Sequence, residues 1–281
     1  MRRSARVALA TIAAAATAVA AAAKIAAFRG EIRNEIDELF AAEHLTPGRV
    51  VAEEDLARLP TPVARWLRRA GVVGKRIPRT VRLRQEGEFR LAPGGRWMPF
   101  TADEYFSLDP PGFVWVVRME AAPLLAISGR DRYAGGEGSI DMRLLELIPV
   151  ASQRGGLLNQ GALLRYLNET MWFPAAALDP CISWSEIDEH RAQATISYGG
   201  MDGSAIFVFD ADGRLLDMTA DRYYAAGNRT ETWSTPLSNE RLLGGMRVPA
   251  SGYGLWKLGV GDFIYIRLRV TDLDYDPAGP Y

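Results

Sequence analysis

The twelve residues "TVRLRQEGEFRL", Thr80 to Leu91, place Val81, Leu83, Gln85, Phe89 and Leu91 at one parity. Arg82, Arg84, Glu86, Glu88 and Arg90 occupy the other. Side chains of a strand point alternately to its two faces, so this spacing predicts a β-strand with one buried and one wet face. One wet face is the mark of an antiparallel sheet, since parallel sheets are covered on both sides.

Period two continues outward from this stretch. A Pro-Gly-Gly turn leads into "TADEYFSLDPPG" and "FVWVVRMEA", a strand pair divided at Asp109-Pro110-Pro111-Gly112. "GRDRYAGGEG" reads as a strand and turn, and "SIDMRLLELIPVA" as a further strand. A second series follows Cys181: "CISWSEID", "RAQATISYGG", "GSAIFVFDADG", "RLLDMTADRYYA", "NRTETWST", "LLGGMRVPASG" and "GDFIYIRLRVTDLDYD". Between the two series, "RYLNETMWFPAAAL" (Arg165 to Leu178) has helical character and ends at a proline, within a helical interruption at about 157–178. Strands and turns recur every ~8–12 residues without alternating helices. The order predicts an α+β fold, mainly antiparallel β: a curved sheet or half-barrel over 77–281, its concave face covered by short helices.

Ahead of the sheet, "RGEIRNEIDELFAAEH" continues as a polar helix with Ile32, Ile36, Leu39 and Phe40 at helical spacing, a stalk over 29–76 that also holds two short helices. Thr46 is placed as an N-cap, Glu53 to Leu59 as a short helix, and Pro62 to Ala70 as a second closed by Gly71 and Gly74. The first 28 residues open with Arg2, Arg3 and Arg6 and run uncharged from Val7 to Ala23. That is the shape of a signal-anchor or a cleaved secretory signal, with a soluble alanine-rich helix as the third reading. The anchor reading places the chain in the bacterial inner membrane as a single-pass protein with its main domain on the extracytoplasmic side.

Composition bounds the chemistry. The 281 residues are 48% hydrophobic and 24% charged with a net charge of −1, a folded chain without the basic field of a nucleic-acid binder. Cys181 is the single cysteine, and His44 and His190 are the only histidines, so a Cys–His nucleophile or a histidine-ligated metal is not assembled. No nucleophile elbow, phosphate loop, HExxH or paired CxxC occurs. "DADG" (Asp210 to Gly213) reads as a turn, not as a calcium loop, and Asn228-Arg229-Thr230 has the spacing of a glycosylation triplet. We assign no catalytic residue, metal or cofactor.

Charges on the wrong parity carry more information. Glu104 shares a face with Ala102, Phe106 and Leu108; Glu146 with Ile140, Met142, Leu144 and Ile148; Arg222 with Leu216, Met218, Ala220 and Tyr224. An inward charge needs a partner or water. Glu104, Glu146 and Glu169 are the candidate counter-ions of Arg222, forming either a structural ion pair or the polar base of a ligand cavity. Glu169 and Trp172, three residues apart, share a helical face.

The segments "RWMPFTADEYFSLDPPGFVW", "RYLNETMWFPAAAL", "ISWSEID", "DRYY" and "GLWKLGVGDFIY" resemble the signature segments of an uncharacterised bacterial domain-of-unknown-function family whose members are predicted to be membrane-anchored. The resemblance covers Leu59 to Tyr275, and Trp172-Phe173-Pro174 is its most specific part. It brings no activity. At the level of element order the chain is also similar to the half-barrel of periplasmic lipoprotein carriers, which hold acyl chains between a curved sheet and covering helices. That likeness suggests a site for a lipid or another apolar small molecule. From the residues themselves we read Trp115 and Phe106 as its cavity wall, Trp172 and Phe173 as its lid, and Arg222 with Glu169 or Glu104 as its polar anchor. The rival readings are a hydrolase-type enzyme using the inward carboxylates and an envelope scaffold protein.

Overall fold

The computed structural model describes residues 2–41 and 48–281, with side chains from residue 13 onward apart from residue 14. Thr46 and His44 lie outside the described residues, as do the side chains that open the uncharged run from Val7. Fourteen strands form one antiparallel sheet: β1 Thr80–Phe89, β2 Met98–Leu108, β3 Pro111–Ala122, β4 Leu125–Ala134, β5 Glu137–Leu144, β6 Ile148–Arg154, β7 Ile182–Asp188, β8 Arg191–Tyr198, β9 Met201–Phe209, β10 Leu215–Tyr224, β11 Arg229–Ser234, β12 Leu237–Leu243, β13 Met246–Leu258 and β14 Gly261–Tyr275. The order runs β6-β5-β4-β3-β2-β1-β14-β13-β11-β10-β9-β8-β7, with β12 beside β13. The last strand thus joins the first, and the two series meet in the middle of the sheet.

The helices are α1 Arg2–Ala41, α2 Glu53–Leu56, α3 Thr61–Ala70 and α4 Leu157–Glu169. Two 3₁₀ turns, Thr170–Trp172 and Pro174–Leu178, follow α4. The sheet curls far enough that α4 touches β4 and β5 from one series and β8, β9 and β10 from the other. The half-barrel expected from the strand pattern is the fold.

Two stretches read as single strands are hairpins. Within "SIDMRLLELIPVA" the chain turns between β5 and β6, with Leu145 and Glu146 at φ 54° and 61°. Positive φ costs a non-glycine residue energy, which is why no turn chemistry marked the spot. Glu146 therefore does not point into the sheet's concavity; it accepts from Arg29 Nε at 2.5 Å. Likewise Gly244-Gly245, at φ 53° and 83°, separates β12 from β13, the conformation that two-residue hairpins demand. A bulge near Leu215 and Asp217 also shifts parity on β10, leaving Leu216 exposed while Met218 and Ala220 remain inside.

Residues 28–40 form no free stalk. Phe28, Ile36 and Leu39 are buried, the last two against Tyr105 and Val114 on the outer face of β2 and β3. Glu35 accepts from Arg130 Nε at 2.6 Å and Nη2 at 2.8 Å, a bidentate pair at the helix–sheet junction. Among the described residues no helix is long and apolar enough to cross a membrane.

Candidate functional site

On the concave side, β1 to β4 contribute their inward parity: Leu83 and Gln85, Glu104 and Phe106, Phe113 and Trp115, Asp131 and Tyr133. Half of this face is packed solid. Phe106 and Phe173 meet at 4.7 Å between centroids with their planes tilted by 51°, Tyr166 meets Phe173 at 5.8 Å, and Phe113 meets Tyr133 at 6.4 Å; all five rings are fully buried. Phe106 and Phe173 are therefore core residues, not wall and lid.

The other half encloses a cavity of about 800 Å³ between α4 and the sheet, within the range of small-molecule sites. Trp115, Met119, Met142, Trp172, Trp256 and Phe263 give it an apolar surface, and its charged groups are Arg222, Arg165, Asp131 and Glu169, with Arg90, bonded to Ile264 O, and Arg154, paired with Glu137. Trp172 serves the wall while its Nε1 donates to Pro249 O at 3.1 Å, which fixes the turn after α4 on β13.

The cation that meets the inward acids is Arg165, not Arg222. Its Nη2 donates to Glu104 Oε1, its Nη1 to Asp131 Oδ2 and its Nε to Glu169 Oε1, each at 2.7 Å. The guanidinium lies 4.8 Å from the Phe113 ring centre and 4.9 Å from that of Trp115. Glu104 also accepts from Gln85 Nε2 at 3.0 Å, while Gln85 Oε1 accepts from Trp115 Nε1 at 2.9 Å. A chain of polar contacts thus runs from the cavity wall under the helix.

Three carboxyls around one arginine leave excess negative charge where the side chains are largely shielded from water. Burial, with Glu169 next to it, pushes the Glu104 carboxyl well above the usual carboxylate range. Burial raises Glu169 as well, against the pull of Arg165. Glu169 Oε2 is buried and has no hydrogen-bond partner among the described residues.

Arg222, on β10, lies across the cavity. Its guanidinium sits 4.7 Å from the Trp233 ring centre and 6.0 Å from that of Trp256, and among the described residues no carboxylate stands within ion-pair distance of it. Arg165 and Asp131 were missed in the sequence. Arg165 and Glu169 have the i, i+4 spacing of a helical ion pair, a local signal that could have found the first of them; Asp131 shares the inward parity of Tyr133. Elsewhere, burial pushes the Cys181 thiol up, away from the thiolate a nucleophile needs. Among the described residues no group of three or more His, Cys, Asp or Glu is placed to hold a metal ion.

Solved structures with a similar course of chain include a LolA superfamily protein from Nitrosomonas europaea, 11% identical over 88% of this chain and 92% of that one, with a TM-score of 0.39. A DUF1329 family protein from Desulfovibrio piger is 12% identical over 78% and 95%, with a TM-score of 0.43. No curated protein matches. A family model described as "Family of unknown function (DUF6544)" matches residues 49–268, from before α2 to within β14. The chain belongs to this family of unknown function.

Proposed function

We propose that this protein binds a lipid or another apolar ligand in the cavity between α4 and the half-barrel. The observation that carries the reading is the cavity itself: about 800 Å³ of the concave face is left open by the protein's own side chains. Its wall is rich in aromatic and methionine side chains, surfaces that gain by exchanging water for an acyl chain. Native mass spectrometry of the full chain purified from its own host tests this. A lipid-sized mass released on activation is the expected result; a bare chain that also fails to take up a fluorescent fatty acid overturns it.

The tether belongs to the same proposal. Arg2, Arg3 and Arg6 ahead of the uncharged run from Val7 to Ala23 support α1 as a single-pass anchor in the bacterial inner membrane, with the half-barrel on the extracytoplasmic side. Proteolysis of intact spheroplasts should then digest the half-barrel; protection until lysis would place it inside.

A hydrolytic reading has one observation behind it, the two buried carboxyls of Glu104 and Glu169 held on one guanidinium. A general acid must reach its substrate. Glu104 has no exposed surface and Glu169 only 5%, and Arg165 lies over both. The cluster is better built to hold a helix on a sheet.

A further inference from the structure

We propose that Arg222 is the headgroup receptor of the cavity, taking the negative charge of an amphiphile that ends in a carboxylate or a phosphate. This rests on the reading of the cavity as a site for an apolar chain and adds which end of the ligand is read, and by what.

Arg222 is half-buried, and a guanidinium cannot shed its charge, so withdrawing one from water without a carboxylate has a cost. Among the described residues, none of the carboxylates near Arg222 forms an ion pair with it. Asp131 and Glu169 attract it across the cavity floor, but their engaged oxygens face Arg165 at 2.7 Å. Glu231, directly opposite on β11, is held by Arg229. What remains around the guanidinium is aromatic: Trp233 and Trp256 flank it. Those faces hold a cation in place while leaving its N–H groups unspent.

A second donor stands beside it. Tyr265 accepts from Trp233 Nε1 at 3.1 Å, so its own O–H proton is free for an acceptor in the cavity that it lines. Burial raises the Tyr265 pKa, which keeps that proton in place. The helix makes room for the arrangement. A side chain at Gly161 would bring its Cβ to 3.2 Å from Arg222 Nε, and glycine inside a helix is otherwise a loss of roughly 0.5–1 kcal/mol relative to alanine. One cation and one hydroxyl at the polar spot of an apolar chamber match a single anionic head on a hydrocarbon chain.

The test compares cis-parinaric acid with its methyl ester on the purified full chain, by fluorescence. The acid should bind at least about tenfold tighter than the ester, the range of a charge-assisted hydrogen bond. Arg222→Met should bring the acid down to the ester's affinity and leave the ester unchanged, while Arg222→Lys should keep a preference for the acid. Equal binding of acid and ester by the wild type overturns the role of Arg222 and leaves the cavity reading standing. If neither ligand binds, both readings fall. Competition with oleate and with lysophosphatidylglycerol separates carboxylate from phosphate heads: displacement by either agrees with the proposal, and displacement by neither refutes it.

Discussion

Arg165 and Glu104, sixty-one residues apart in sequence, meet at 2.7 Å where Glu104 has no exposed surface at all. The contact fastens α4 to the centre of β2, and three of the guanidinium's donors are consumed by acids from three elements. Removing the arginine strands all three. Arg165→Met should therefore cost about 3–5 kcal/mol in urea unfolding, the loss seen when one partner of a buried ion pair is deleted. Glu104→Gln should cost less, because the amide oxygen still accepts from Arg165 and only the bond from Gln85 Nε2 is given up. Equal losses for the two variants would contradict that ranking.

The same carboxyl gives stability a pH signature. Its folded pKa lies above the ordinary 4.5, so the folded state binds the proton more tightly than the unfolded chain. The contribution is fully present below pH 4.5 and is lost as pH rises through the raised folded value. Wild type should lose stability relative to Glu104→Gln as pH rises above 4.5, read from paired denaturant curves. A difference that stays flat or grows with pH would contradict the assignment.

Glu35→Ala should loosen α1 from the sheet. Arg130, whose side chain is only 9% exposed, would keep its charge and lose its bidentate partner. A cost of about 2–4 kcal/mol follows, together with protease cleavage inside residues 28–40, mapped by mass spectrometry. Arg29→Ala, whose side chain is 64% exposed, should be nearly silent in both measurements.

Filling the chamber should abolish uptake without unfolding the protein. Met142 lines the cavity and is half-buried, so Met142→Trp puts an indole into open space and not into packed core. Circular dichroism and the melting curve should be preserved while binding of a fluorescent acyl probe falls by about tenfold or more.

How much of this was legible in the sequence differs by kind of residue. Parity alone put Glu104 on the inside, because β2 is regular and a period of two does not drift. The same rule failed for Glu146, since a turn built on Leu145 and Glu146, without glycine or asparagine, broke the count. Arg222 was placed correctly by parity beyond the bulge, but its expected partners were not. Which cation meets Glu104 depends on where α4 crosses the sheet, a matter of curvature that no local pattern records. Phe106 and Phe173 looked the same on paper as Trp115 and Trp172; packing alone decides which aromatics fill the core and which face a void.

The outer docking of α1 has a consequence for the chamber. Tyr105 and Val114 receive the helix on one side of the sheet, and their immediate neighbours Glu104 and Trp115 face the chamber side on the other. A single thickness of backbone separates the two. The helix and the chamber therefore share β2 and β3, each α1 contact at Tyr105 and Val114 lying one peptide unit from Glu104 and Trp115.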